Sequence, residues 1–193
     1  MTDFLMLLIL ILLIGLGLWA LADFCFSIRS IIKCKCGKFA YYVPTVSKVK
    51  QDIIFQVRQI LTNSKKQLKV VDLGSGTGSL LLPLAKEFPN HLFVGYEWDP
   101  VLIKISIKKS KNLKNIMFKP QNFMEADLSS FDLFLCFVLK CQGEDVGKKL
   151  NKEMKNTAVC IAEKFELKHL KEIKRIHSRT FWVPFKIFIY VKK

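Results

Sequence analysis

At 193 residues the chain has room for one domain and a short appendage, and for nothing larger. Its net charge of +15 lies wholly beyond residue 28, since Asp3 and Asp23 are the only charged side chains before Arg29; such a balance asks for an anionic neighbour, either a lipid headgroup surface or nucleic acid. Arg29, Arg58, Arg175 and Arg179 are the only arginines among 31 basic residues, which counts against a specific nucleic-acid reader, because such readers lean on the planar guanidinium fork. An AT-rich genome accounts for the lysine excess equally well. The six cysteines show no disulfide-framework spacing. Cys136 and Cys160 sit in apolar runs and read as buried small hydrophobes. Cys34-Lys35-Cys36-Gly37 finds no second pair and no nearby His, so no metal site is expected.

Phe4 to Ala22 is uncharged over 19 residues, and at about 1.5 Å per residue it nearly matches a hydrocarbon core of ~30 Å. The segment before it carries Asp3 and no basic residue, which favours an uncleaved anchor over a signal peptide. Arg29, Lys33, Lys35 and Lys38 follow it, so the positive-inside rule puts the rest of the chain on the cytoplasmic side, or the matrix side of an organelle. The chain therefore divides into an anchor at 1–28, a juxtamembrane segment at 29–48 and a catalytic domain at 49–193.

Residues 39–47 are extended or turn. Apolar residues at 49, 53, 54, 57, 60 and 61 have helical spacing and predict a helix over 49–61. Short strands are expected at 69–73, 91–97, 116–119 and 131–138, the last an apolar run buried on both faces. Helices are expected at 80–87 and at 100–111, the second rich in lysine (Lys104, Lys108, Lys109, Lys111). A helix at 144–155, a strand at 158–162, a helix from Glu166 to Ile173 and strands near 175–182 and 185–191 complete the chain. Strands alternating with helices imply an α/β fold with a parallel sheet and right-handed crossovers, and the two final strands imply an antiparallel edge.

The chemistry concentrates at Asp72-Leu73-Gly74-Ser75-Gly76-Thr77-Gly78, where a hydrophobic strand enters a glycine-rich turn ahead of a helix. Such a turn lets the backbone approach a ligand and leaves helix-terminal N–H groups for it. A dinucleotide site uses G-x-G-x-x-G around a pyrophosphate. Here the spacing is G-x-G-x-G, and Asp72 would repel a pyrophosphate yet suit an ammonium group. The next strand ends at Gly95-Tyr96-Glu97, whose carboxylate is placed to accept both hydroxyls of a ribose.

These residues resemble motif I and the following ribose-binding acidic motif of class I (seven-stranded) methyltransferases. The resemblance implies a Rossmann-like fold with a mostly parallel seven-stranded sheet and an antiparallel C-terminal edge strand, here preceded by one N-terminal transmembrane helix. It implies S-adenosyl-L-methionine as cofactor, held by Asp72, Gly74, Ser75, Gly76, Gly78 and Glu97. The order of membrane segment, Tyr42-Val43-Pro44, V-D-L-G-S-G and V-G-Y-E is similar, more narrowly, to the small lysine methyltransferases that act on the mitochondrial ATP synthase c subunit and the adenine nucleotide translocase, and to their bacterial relatives. That resemblance implies N-methylation of a lysine in a membrane-associated protein, by a single-pass membrane enzyme. A lipid, quinone or other small acceptor, and a non-catalytic membrane-tethered assembly factor, remain as alternatives; nucleic acid is the less favoured partner.

The chain departs from that pattern in two places. Where the family carries an Asp for the adenine amino group, Gln121-Asn122 stands, making Asn122 the candidate through its amide oxygen. Phe137-Val138-Leu139 replaces a Gly-Val-Pro-like segment. The Asn/Asp-Pro-Pro-aromatic tetrad used for adenine or glutamine amide nitrogens is absent. No general base is assigned, because alignment and desolvation supply most of the acceleration of a methyl transfer. Glu125 and Asp127 are a solvated loop or an orienting pair for an amine; Tyr41 and Tyr42 are pocket walls or core.

Overall fold

A computed structural model describes residues 47–137, 139–180 and 183–193, together with isolated positions 6, 10, 14, 15, 17, 18 and 21, which are helical and exposed. Among the described residues no helix is long and apolar enough to cross a membrane; the expected span Phe4–Ala22 lies largely outside them, as do Tyr41, Tyr42 and the Cys34/Cys36 pair. Residues 44–193 form one compact unit.

Helix α1 (Ser47–Asn63) buries Val49, Ile53, Ile54, Val57 and Leu61, the stripe its spacing announced. Then follow β1 (Lys69–Leu73), α2 (Leu81–Glu87), β2 (Leu92–Glu97), α3 (Pro100–Ser110), β3 (Ile116–Pro120), β4 (Leu133–Phe137), α4 (Gly143–Glu153), β5 (Val159–Glu163), β6 (Lys171–Thr180) and β7 (Val183–Val191). The seven strands form one sheet in the order β3-β2-β1-β4-β5-β7-β6. β1 to β5 run parallel, and β7 inserts antiparallel between β5 and β6. The expected antiparallel pairing at the C-terminal edge is therefore present, with β6 outermost. The strand order reverses between β1 and β4, and at such a switch point a crevice opens beyond the carboxyl ends of the strands.

Two apolar layers hold the sheet. One packs α1, α2 and α3 against Val70, Phe93, Leu133, Leu135 and Ile161. The other packs α4 and two loops against Val71, Leu73, Phe134, Cys160 and Phe188. Each fully buried side chain of this size contributes about 1.5–3 kcal/mol of transfer free energy. Cys136 and Cys160 are buried neighbours on β4 and β5, their sulfurs 3.9 Å apart. Ser178 Oγ donates to Asp52 (2.6 Å) and Lys174 Nζ to Gln56 (3.2 Å), tying β6 to α1.

The helix expected from Glu166 to Ile173 does not form. Residues 164–170 are a loop, and β6 already begins at Lys171. Leu167, Leu170 and Ile173 have helical spacing, but only the first two are buried, while Ile173 stands exposed on the edge strand. Lys164 and His169 adopt positive φ (74° and 70°), which no helix accommodates. The loop instead lies flat on α4, where Gly143 and Gly147 stand one turn apart. A Cβ at Gly147 would collide with the Lys168 carbonyl, and one at Gly143 would come within 2.6 Å of the Glu166 carbonyl. The Leu167 N–H donates to Tyr190 Oη at 3.1 Å, fixing the loop to β7.

The amino-terminal ends of the strands are closed by polar clamps. His91 Nδ1 accepts from the Leu68 N–H (3.0 Å). Asn115 Nδ2 lies 2.9–3.1 Å from the carbonyls of Ala85, Phe88 and His91. Asp132 accepts from the Lys69 N–H and from Lys155 Nζ, both at 2.9 Å.

Candidate functional site

The carboxyl ends of β1, β2 and β5 bring three acids together. Asp72 lies one residue before the tip of β1 and is only 5% exposed. Glu97 ends β2 and Glu163 ends β5, and both are buried. Burial first, and then the charges of Glu97 and Glu163, push Asp72 up to about 7. Such a carboxyl gains most from a cationic ligand, which relieves both causes at once.

The glycine turn follows directly. Gly74, Gly76 and Gly78 all adopt positive φ (95°, 55° and 77°), yet they serve different ends. In front of Gly74 a Cβ would meet nothing within 4 Å, so the turn faces open space there. At Gly78 a Cβ would come within 2.6 Å of Phe118 Cζ, so this glycine seats β3 against the turn. The turn is pinned to β2 by the N–H groups of Gly74 and Ser75, which donate to the Tyr96 carbonyl at 3.0 and 2.8 Å.

Ser75 Oγ is the one buried side-chain oxygen among the described residues that has no hydrogen-bond partner. It lies against Gly95 of β2, 2.6 Å from where a Cβ would stand, and a buried hydroxyl left so costs about 1–3 kcal/mol. With Asp72 beside it and open space before Gly74, the arrangement fits the amino-acid end of S-adenosylmethionine, which needs an acceptor for its ammonium and donors for its carboxylate.

Glu97 accepts from the Gly76 N–H (Oε2, 2.9 Å) and from the Asp99 N–H (Oε1, 2.8 Å). Burial raises its pKa, opposed by those two N–H groups. The Trp98 N–H acts on the same carboxylate, and three N–H groups against about four lone-pair sites leave room for a sugar hydroxyl, so Glu97 fits the ribose role while also bracing the turn. The half-buried Trp98 comes next, offering a flat apolar face for a base beside the sugar site. Asp99 caps α3 through the N–H groups of Val101 and Leu102, with Pro100 at the first helical position.

Asn122 lies after β3 as expected, but its Oδ1 accepts from the Met124 N–H at 3.0 Å and caps the 3₁₀ turn Phe123–Glu125. The oxygen meant for an adenine amino group thus already has a backbone donor. Glu125 and Asp127 are exposed. Asp127 turns to the Ser129 N–H, which lowers its pKa, and neither acid reaches the group at 72, 97 and 163; the solvated-loop reading holds for both.

Glu163 was not among the residues expected from the sequence. Its signal was present: an acid closes an apolar strand, as at Glu97, but the strand was expected to stop one residue earlier. Beside it, Lys164 Nζ lies 5.8 Å from the Phe137 ring centre and 5.4 Å from that of Phe165, cation–π distances. The carboxyl end of β4 and β5 is therefore an aromatic corner next to a buried acid. Among the described residues no group of His, Cys, Asp and Glu has a geometry for a metal ion.

Compared with known proteins, residues 72–174 match the model of the ANTKMT methyltransferase domain. A protein-lysine N-methyltransferase from Saccharolobus islandicus is 28% identical over 157 residues, spanning 78% of this chain and 92% of that protein. Among solved structures, an RNA methyltransferase from Salinibacter ruber in complex with S-adenosyl-L-homocysteine aligns with a TM-score of 0.65 at 19% identity, over 78% of this chain and 95% of that one. A mutant of MtNAS in complex with S-adenosylmethionine aligns at 0.61 and 9% identity, over 75% and 62% of the two chains. At those identities the two structures speak for the fold.

Proposed function

This chain belongs to the ANTKMT methyltransferase domain family and is an S-adenosylmethionine-dependent methyltransferase, and from that premise we propose that its acceptor is the side-chain amine of a lysine in a protein. The observation that carries this reading is the similarity, over 78% of the chain, to a protein-lysine N-methyltransferase.

When bound, S-adenosylmethionine supplies a methyl group on a sulfonium, open to in-line attack by a neutral nitrogen. Asp72 and the turn at 74–76 would hold its amino-acid end, and Glu97 its ribose. Burial beside the cationic sulfonium favours the neutral amine over the ammonium, so the proton is shed to solvent as the side chain enters. No side chain is required as a base, and none is assigned.

The acceptor is proposed to lie in or beside a membrane. The apolar stretch Phe4–Ala22 would anchor the chain, and Arg29, Lys33, Lys35 and Lys38 would hold the catalytic unit on the cytoplasmic or matrix side. Incubating the full-length protein with methyl-labelled cofactor and membranes tests the assignment. Label recovered as methyllysine after protein hydrolysis is the expected result; label that follows the lipid extract or RNA would refute it.

A further inference from the structure

The surface around α3 carries its charge differently from the rest of the domain. Between Asp99 and Glu125 the chain holds six lysines and no acid. Other parts of the domain intersperse acids among the lysines, so that Lys48 pairs with Asp52, Lys148 with Glu144, Lys149 with Glu153 and Lys155 with Asp132. On and just after α3, Lys104, Lys108, Lys109 and Lys111 form no ion pair with any described residue.

The same helix turns aliphatic side chains outward. Leu102, Ile103 and Ser106 face the sheet, while Val101, Ile105 and Ile107 are 43%, 37% and 50% exposed. Positions three and four apart stack on a helix, so Lys104, Lys108 and Lys111 form the outermost strip, with Val101 and Ile105 along one flank of it and Ile107 along the other. A face that merely keeps the protein soluble gains nothing from three exposed β-branched residues, which are also poor helix formers.

We propose that the outward face of α3 docks on an anionic phospholipid surface. The central strip of Lys104, Lys108 and Lys111 meets the phosphates, and Val101 and Ile105 on one flank and Ile107 on the other rest among the headgroups on either side. Nucleic acid would answer the charge but leave the aliphatic rows in water, and α3 has neither the arginines nor the aromatic rings on which bases stack. The inference does not depend on which acceptor is methylated.

The test places an environment-sensitive fluorescent amino acid at position 107 of the full-length protein, and in a second sample at Phe55, an exposed residue of α1. Both are mixed with vesicles of phosphatidylserine and phosphatidylcholine, or of phosphatidylcholine alone. The probe at 107 should shift to the blue with the anionic vesicles only, the one at 55 with neither. The shift should weaken by about tenfold or more in a Lys104→Glu/Lys108→Glu/Lys111→Glu variant, and reverse in high salt in the unaltered protein, a readout independent of the variant's folding. A probe at 107 that stays in water while the protein floats with the vesicles would overturn the proposal, because the apolar N-terminal stretch alone would then account for binding. A shift produced by RNA and not by vesicles would overturn it in favour of a nucleic-acid surface.

Discussion

The amino-terminal ends of the strands, where His91 accepts from Leu68, Asn115 reaches three carbonyls and Asp132 takes Lys69 and Lys155, differ from the carboxyl ends, where Asp72 is buried within electrostatic reach of the buried Glu97 and Glu163. At the first end the polar groups find their partners inside the protein. At the second, burial and then the charges of Glu97 and Glu163 raise the pKa of Asp72, and Ser75 Oγ has no partner among the described residues. Stability alone selects against the second arrangement. The contrast shows where the molecule keeps strain that a ligand can release, and it separates residues whose loss should weaken binding from residues whose loss should weaken only the fold.

The largest expected effect belongs to Asp72→Asn. Removing the charge should weaken S-adenosylmethionine binding by about 100-fold, the equivalent of one charge-assisted hydrogen bond of about 2–3 kcal/mol. The ligand-free protein should melt no lower than the parent at pH 8, because a buried charge has been relieved. Titration calorimetry paired with a melting curve reads both; a variant that melts lower and binds normally would place Asp72 among the clamps. Glu97→Ala should weaken binding by roughly 10- to 30-fold and also lower the melting point, since Gly76 and Asp99 lose their acceptor. At the opposite end, Asn115→Ala should cost about 1–2 kcal/mol of stability, a drop of some 2–8 °C, with the dissociation constant unchanged. If Asn115→Ala weakened binding as much as Asp72→Asn, the division between the two ends would fail.

Much of this was legible beforehand because it rests on short-range pattern. The apolar stripe of α1, the buried runs of β1 and β4 and the glycine turn after Asp72 each have a local cause, and each appears where its residues put it. What was not legible depends on contacts distant in sequence. The loop at 164–170 carries a helical spacing but is flattened by Gly143 and Gly147, some twenty residues earlier. Insertion of β7 between β5 and β6 leaves no local mark. The double duty of Gly78, which admits Phe118 from β3, needs the sheet order to be seen. Glu163 was missed by a single residue at a strand end, where boundaries read from sequence are least secure. Asn122 shows how one residue type can serve two ends: Asn is also a common cap, and here its Oδ1 accepts from the Met124 N–H.

The pH dependence of cofactor binding tests the central claim most directly. With Asp72 raised to about 7, the folded ligand-free protein holds a proton that the unfolded chain releases near 4, so its stability should fall as pH rises from about 4 through about 7 and then level off. Binding an ammonium requires the ionised form, so the linkage runs the other way for the ligand. Titrating the full-length protein with S-adenosylmethionine from about pH 8 down to about pH 5 should show the dissociation constant rising roughly tenfold per unit below 7, with proton release on binding in that range, and the slope should vanish in Asp72→Asn. A dissociation constant flat across that range in the unaltered protein, or one that rises equally in the variant, would contradict the account.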